Sequence, residues 1–198
     1  MINVGIYIYD GVEILDFTGP YSAFTSANKL SREKKFNLSL LSITKELIST
    51  QNGITVKADF CLEDVNNIDI LVIPGGSEAR NETAHTQICD YMIKYHNEFQ
   101  YILSVCTGAL IIARTGLLRG GNVVTHKNAY TLLREIDQSL TIYSDRNVIR
   151  NKNIIMTAGV LTGIEGALKI IEEVCGNSIM QKVSDNLYYN SIEDKVSY

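Results

Sequence analysis

Four short stretches of this 198-residue chain carry groups able to do chemistry. In the first, Cys106 stands between an apolar run, residues 101–105, and Thr107-Gly108, which opens a second apolar run ending at Thr115-Gly116. That order reads as buried strand, sharp turn and helix with a glycine at its C-terminus. A side chain held at such a turn projects over the first turn of a helix, whose free N–H groups and partial positive charge favour a thiolate. The arrangement is the cysteine counterpart of a serine nucleophile elbow. A small, buried, inert thiol fits the same stretch. In the second stretch, Asp16 lies in the first strand-to-helix connection, where an acid serves either catalysis or the helix dipole. Pro74-Gly75-Gly76 and His126 complete the set, each directly after a run of β-formers.

The elements that must place these groups follow from periodicity. Residues 3–9 form a first strand closed by the turn signal Asp10-Gly11. Pro20 suits the first position of a helix, with Thr18 or Gly19 as its cap, so a helix is expected over residues 21–30. Residues 31–35 read as a charged loop, and residues 36–44 alternate as a second strand. Asn52-Gly53 between β-formers predicts a hairpin that joins residues 48–49 to residues 54–57. The continuous apolar run 69–73 fits a parallel strand buried on both faces. Helices are expected over residues 82–97, 128–136, 163–175 and 177–189, with a short strand over 122–125. Residues 141–144 and 148–149 are expected to pair with 154–157, and the C-terminal residues to fray. Strands alternating with helices predict an α/β fold with a mostly parallel, doubly wound sheet. Ligands bind such sheets beyond the carboxyl ends of the strands. Asp16, Gly75, Gly76, Cys106 and His126 are all expected along that edge, and this convergence favours a functional thiol at Cys106.

Composition bounds the rest. The length suits a single domain spanning residues 1–198, and 45% hydrophobic with 20% charged residues is ordinary for a globular protein. A net charge of −4 offers no basic footprint for nucleic acid. Cys61, Cys89, Cys106 and Cys175 are far apart, which argues against a zinc site or a disulfide framework. No signal peptide or membrane-spanning run is evident, so a cytoplasmic protein with reduced thiols and no membrane partner is expected.

At these residues the chain resembles the DJ-1/PfpI superfamily. The resemblance runs through Asp10-Gly11-Val12-Glu13-Ile14-Leu15-Asp16-Phe17-Thr18-Gly19-Pro20, Ile73-Pro74-Gly75-Gly76 and Val105-Cys106-Thr107-Gly108-Ala109. It continues through Val124-Thr125-His126 and the stretch around Gly159, residues 157–167. Each motif is weak alone; their order and spacing are specific. Within the superfamily the chain is most similar to the isonitrile (isocyanide) hydratases. It also resembles the sensor-like domains that precede DNA-binding modules in AraC-type regulators. The resemblance implies a flavodoxin-like three-layer α/β/α sandwich with the nucleophile elbow at Cys106, and a homodimer. It implies Cys106 as nucleophile, Asp16 as the acid beside the sulfur and Thr107 as a supporting catalytic residue. Gly75 and Gly76 would offer backbone N–H groups to developing negative charge, and His126 is a further substrate-side candidate. No metal or organic cofactor is implied, and the substrate would be a small molecule.

Two departures shape the functional expectation. Thr107 stands where proteolytic relatives place His directly after the nucleophile, and the His-x-Glu of class I glutaminases has no counterpart among His85, His96 and His126. The implied activity is therefore hydration of a small isocyanide to an N-substituted formamide. The alternatives are a glyoxalase- or deglycase-like activity on small aldehydes and a non-catalytic ligand or oxidation sensor. A regulator's sensory domain would need a helix-turn-helix, for which residues up to Tyr198 leave no room.

Overall fold

The structure, a computed structural model, describes residues 1–43 and 47–189. The chain opens with β1 (Ile2–Tyr7) and α1 (Ile14–Leu30), then β2 (Phe36–Ser42) and the hairpin β3 (Leu47–Ser49) and β4 (Thr55–Lys57). Next come β5 (Phe60–Cys61), β6 (Ile70–Ile73), α2 (Thr86–Tyr95), β7 (Tyr101–Val105) and α3 (Gly108–Arg114). The last part holds β8 (Asn122–Val123), α4 (Tyr130–Ile136), β9 (Thr141–Ile142), β10 (Val148–Asn151), β11 (Ile154–Thr157), α5 (Thr162–Cys175) and α6 (Asn177–Asn186). Seven strands form one sheet in the order β10-β11-β7-β6-β1-β2-β5, and every pairing is parallel except β10 with β11. Ile70, Leu71, Val72 and Ile73 of β6 are all fully buried, as the unbroken apolar run requires of a central parallel strand. Helices α1, α5 and α6 pack together against the sheet, while α3 packs on β6, β7 and α2. This is the expected flavodoxin-like α/β architecture.

Three expectations need correction. The first helix begins at Ile14, seven residues before the expected start, so Pro20 lies inside it. Glu13 caps it, its carboxylate accepting the Leu15 N–H at 3.4 Å. Pro20 has no N–H for the Asp16 carbonyl, a local loss that tertiary packing offsets. Phe17 is 2% exposed, Pro20 is buried, and Gly19 lets Ile164 of α5 approach closely. Secondly, β9 does not join β10 and β11. It pairs parallel with β8 in a separate two-stranded sheet, leaving β10 alone to form the hairpin with β11. Thirdly, the helix expected over residues 82–97 is shorter, a 3-10 turn at Thr83–His85 leading into α2. The Asn52-Gly53 hairpin is present as expected. Thr44 at the predicted end of β2, and the residues from 190 onward, lie outside the described residues.

Candidate active site

The parallel strands β1, β6 and β7 end side by side, and the loops leaving them bring three groups into contact. The loop after β7 is the sharpest. Cys106 has φ of 55°, a left-handed conformation unusual for any residue but glycine. Its backbone is pinned on both sides: its N–H donates to the Thr157 carbonyl at 3.0 Å, and its carbonyl accepts the Thr125 hydroxyl at 2.8 Å. The side chain is thereby thrust off the strand end, and Cys106 retains 7% exposure. Gly108 is obligatory in this turn, because a Cβ there would collide with the Ile73 carbonyl of β6. The expected elbow is therefore present.

Asp16 reaches the same place from the first turn of α1 and is completely buried. Its Oδ2 accepts the Gly75 N–H at 2.9 Å, so its partner lies on the loop after β6 rather than on its own helix. Its Oδ1 is buried and accepts no hydrogen bond among the described residues. Burial lifts the Asp16 carboxyl from its ordinary 3.8 to about 7, the Gly75 N–H opposes this, Glu13 adds to it, and the Cys106 thiol opposes it. The thiol is affected in the same sense. Burial, then the Asp16 charge, push Cys106 from 9.0 up to about 12, against the Thr107 N–H and hydroxyl, which pull it down, while Glu13 adds a smaller upward push. This corrects the expected low-pKa thiolate: in this setting desolvation and a neighbouring acid outweigh the donors at the head of the short helix α3.

The glycine pair lies where expected, but its N–H groups are engaged. Gly75 donates to Asp16, and Gly76 donates to the Thr107 hydroxyl at 3.0 Å, which returns a hydrogen bond to the Gly76 carbonyl at 3.3 Å. A Cβ at Gly75 would meet Thr107 Oγ1 at 2.5 Å and Asp16 Oδ2 at 2.8 Å, so only glycine permits this convergence. The pair thus locks the acid to the elbow instead of facing an open oxyanion site. His126 enters from outside the main sheet, next to Thr125, whose hydroxyl holds the Cys106 carbonyl. It follows β8, and its Nδ1 accepts the N–H of Asn128 at 3.3 Å, capping a short turn.

Two further contributors escaped the sequence pattern. Thr125, which anchors the elbow, directly precedes the histidine that drew attention. Glu13 is an acid whose charge reaches both Asp16 and Cys106. It is clasped from the β3–β4 turn by the Gln51 side-chain amide and, at 3.4 Å, by Asn52. No apolar period or capping pattern marks either one. Among the described residues no group of three or more His, Cys, Asp or Glu is arranged to hold a metal ion, and no helix is long and apolar enough to cross a membrane.

With this geometry in place, comparison with known proteins is decisive for the family. The sequence profile of the DJ-1/PfpI family matches residues 3–173. The chain belongs to that family. An isonitrile hydratase from Pseudomonas putida is 27% identical over 190 residues, covering 95% of this chain and 78% of its own length. The glutathione-independent glyoxalase DJ-1 of Schizosaccharomyces pombe is 24% identical over 196 residues, covering 94% of this chain and 98% of its own. In structure, a ThiJ/PfpI family protein from Pseudomonas syringae superposes with a TM-score of 0.83 at 20% identity, over 96% of this chain and 75% of that one. The last likeness concerns the fold. The family includes enzymes of more than one activity.

Proposed function

We propose that this chain hydrates small isocyanides to N-substituted formamides, with Cys106 as nucleophile, Asp16 as proton carrier and Thr107 as the residue that fixes the elbow. The observation that carries this reading is the buried pair itself, a thiol beside a carboxyl group that titrates at about 7. As pH rises above about 7 the pair comes to hold a single proton, on sulfur or on carboxylate. Asp16 takes the thiol proton, the sulfur attacks the terminal carbon of R–N≡C, and Asp16 returns the proton to that carbon. The product is a thioimidate, R–N=CH–S–Cys106. Water then adds to the same carbon, the C–S bond breaks, and R–NH–CHO leaves with the thiol restored. The sum is one isocyanide and one water to one formamide, and no cofactor is required.

Two features favour this substrate over an aldehyde. Attack on an isocyanide carbon places the new proton on carbon and builds no carbonyl oxyanion in the first step. That suits a site in which Gly75 and Gly76 have committed their N–H groups. The narrow exposure of Cys106 also suits a linear, rod-like functional group.

The test is formamide formation from cyclohexyl isocyanide, with methylglyoxal as comparator. Turnover lost by at least about a hundredfold in Cys106→Ala and in Asp16→Asn is the expected result. Turnover of the aldehyde alone would replace the hydratase reading with the glyoxalase one. The same reading extends to a homodimer. Leu15 and Leu161, 47% and 61% exposed, lie by the starts of the packed helices α1 and α5, where a second copy would cover them. Sedimentation of the purified protein at the mass of two chains is the expected outcome, and a monomer would remove that extension.

A further inference from the structure

Behind the Asp16–Cys106 pair lies a buried aromatic group that no step above uses. Tyr9, two residues past the end of β1, is 7% exposed, and its hydroxyl donates to the Pro74 carbonyl at 3.1 Å. That carbonyl belongs to the same peptide unit as the Gly75 N–H, which donates to Asp16 at 2.9 Å. The three groups form one chain: Tyr9 O–H to Pro74 C=O, through the planar peptide, and Gly75 N–H to Asp16 Oδ2. Hydrogen bonds in series polarise one another, most strongly where the surroundings are dry.

The tyrosine is itself held in place. Its ring lies edge-on to His85 with centroids 4.6 Å apart and 5.2 Å from the ring of Tyr7. His85 is fully buried between two partners, the Tyr7 hydroxyl at Nδ1, 3.2 Å, and the Glu78 carbonyl at Nε2, 2.9 Å. A carbonyl only accepts, so Nε2 carries the proton and Nδ1 accepts from Tyr7. Glu78 sits in the turn that follows Gly76. The block of Tyr7, Tyr9 and His85 thus ties the end of β1 to both sides of the glycine loop.

We propose that Tyr9 is a positioning residue for the Asp16–Cys106 pair, acting through the Pro74–Gly75 peptide that its hydroxyl orients and polarises. The proposal rests on the reading of Asp16 as proton carrier. Loss of the hydroxyl weakens the Gly75 N–H as a donor to the Asp16 carboxylate, so Asp16 holds its proton to higher pH. The other groups facing Asp16 stay unchanged: Glu13 from the cap of its own helix and the Cys106 thiol from the elbow. Those facing Tyr9 are Tyr7, Asp16, Cys106 and Glu78.

The experiment follows the carboxyl titration of Asp16 by isotope-edited NMR in the whole protein, with Asp16→Asn assigning the resonance. Tyr9→Phe keeps the ring and its packing on His85 and loses only the donor. Its midpoint is expected to rise by roughly half a unit, and the pH dependence of Cys106 alkylation by iodoacetamide to move with it. Tyr9→Leu gives the same shift with a lower melting temperature. A fluorinated tyrosine at position 9 is a stronger donor and lowers the midpoint, which serves equally if Tyr9→Phe does not fold. An unmoved midpoint in a folded Tyr9→Phe or fluorinated protein overturns the proposal, whatever happens to stability. The titration needs no substrate, so a failure of isocyanide turnover and a failure of this proposal are read separately.

Discussion

At Cys106 the backbone is already part of the proposed chemistry. A φ of 55° at a residue with a Cβ costs on the order of 1–3 kcal/mol, and the hydrogen bonds from Thr125 and to Thr157 hold it there. What this gains is proximity of sulfur to the Asp16 carboxyl group. In the proposed mechanism the pair reacts when it holds one proton, so kcat/KM is expected to rise as pH increases through about 7 and to fall only toward 12. A profile flat across neutrality would remove Asp16 from proton transfer. Both residues were legible in the sequence because each follows a strand-like run, and such positions converge at a parallel sheet's edge. The destination of the Gly75 and Gly76 N–H groups was not legible, since a glycine pair announces close approach but not direction. The route by which His126 arrives was not legible either: the β-formers before it build a strand, but outside the main sheet.

The elements show where local signals suffice and where packing overrides them. The run of Ile70 to Ile73 and the Asn52-Gly53 turn each behave as their residue types dictate. Helix α1 does not, because Gly19-Pro20 is a start signal that only the contacts of Phe17 and Pro20 with the core and of Gly19 with Ile164 can overrule. The short strand β9 pairs with β8 through register that no periodicity encodes. Helix α3 depends on one close contact, Gly108 against the end of β6. Its replacement by alanine drives a methyl group into the Ile73 carbonyl and within 3.2 Å of the Pro74 carbonyl carbon. Backbone cannot step aside as a flexible side chain can. Gly108→Ala is therefore expected to lower unfolding free energy by roughly 1–3 kcal/mol and to displace the elbow. Denaturant titration with Cys106 alkylation checks both, and a variant of native stability would mean that the turn has room the distances deny.

For the molecule as a whole, the buried acid sets the proposed activity against stability. Asp16 binds its proton more tightly folded, at about 7, than at its ordinary 3.8. The stability linked to that proton is fully present below 3.8 and is lost as pH rises through 7. A shift of that size corresponds to roughly 4 kcal/mol at 1.36 kcal/mol per unit, an upper range for a group with no exposed surface. Asp16→Asn has no such charge to bury. Its unfolding free energy relative to the native protein is expected to climb as pH increases from acid to above 7, with the gap smallest near pH 4. Thermal unfolding of the two proteins over that range measures it. In the proposed mechanism the titration that creates the reactive pair thus destabilises the fold that holds it, a trade commonly met at working sites. A variant uniformly less stable at every pH would point the other way. The Gly75 N–H would then be the main reason for the acid, and Asp16 a structural clamp on the loop rather than a carrier of protons.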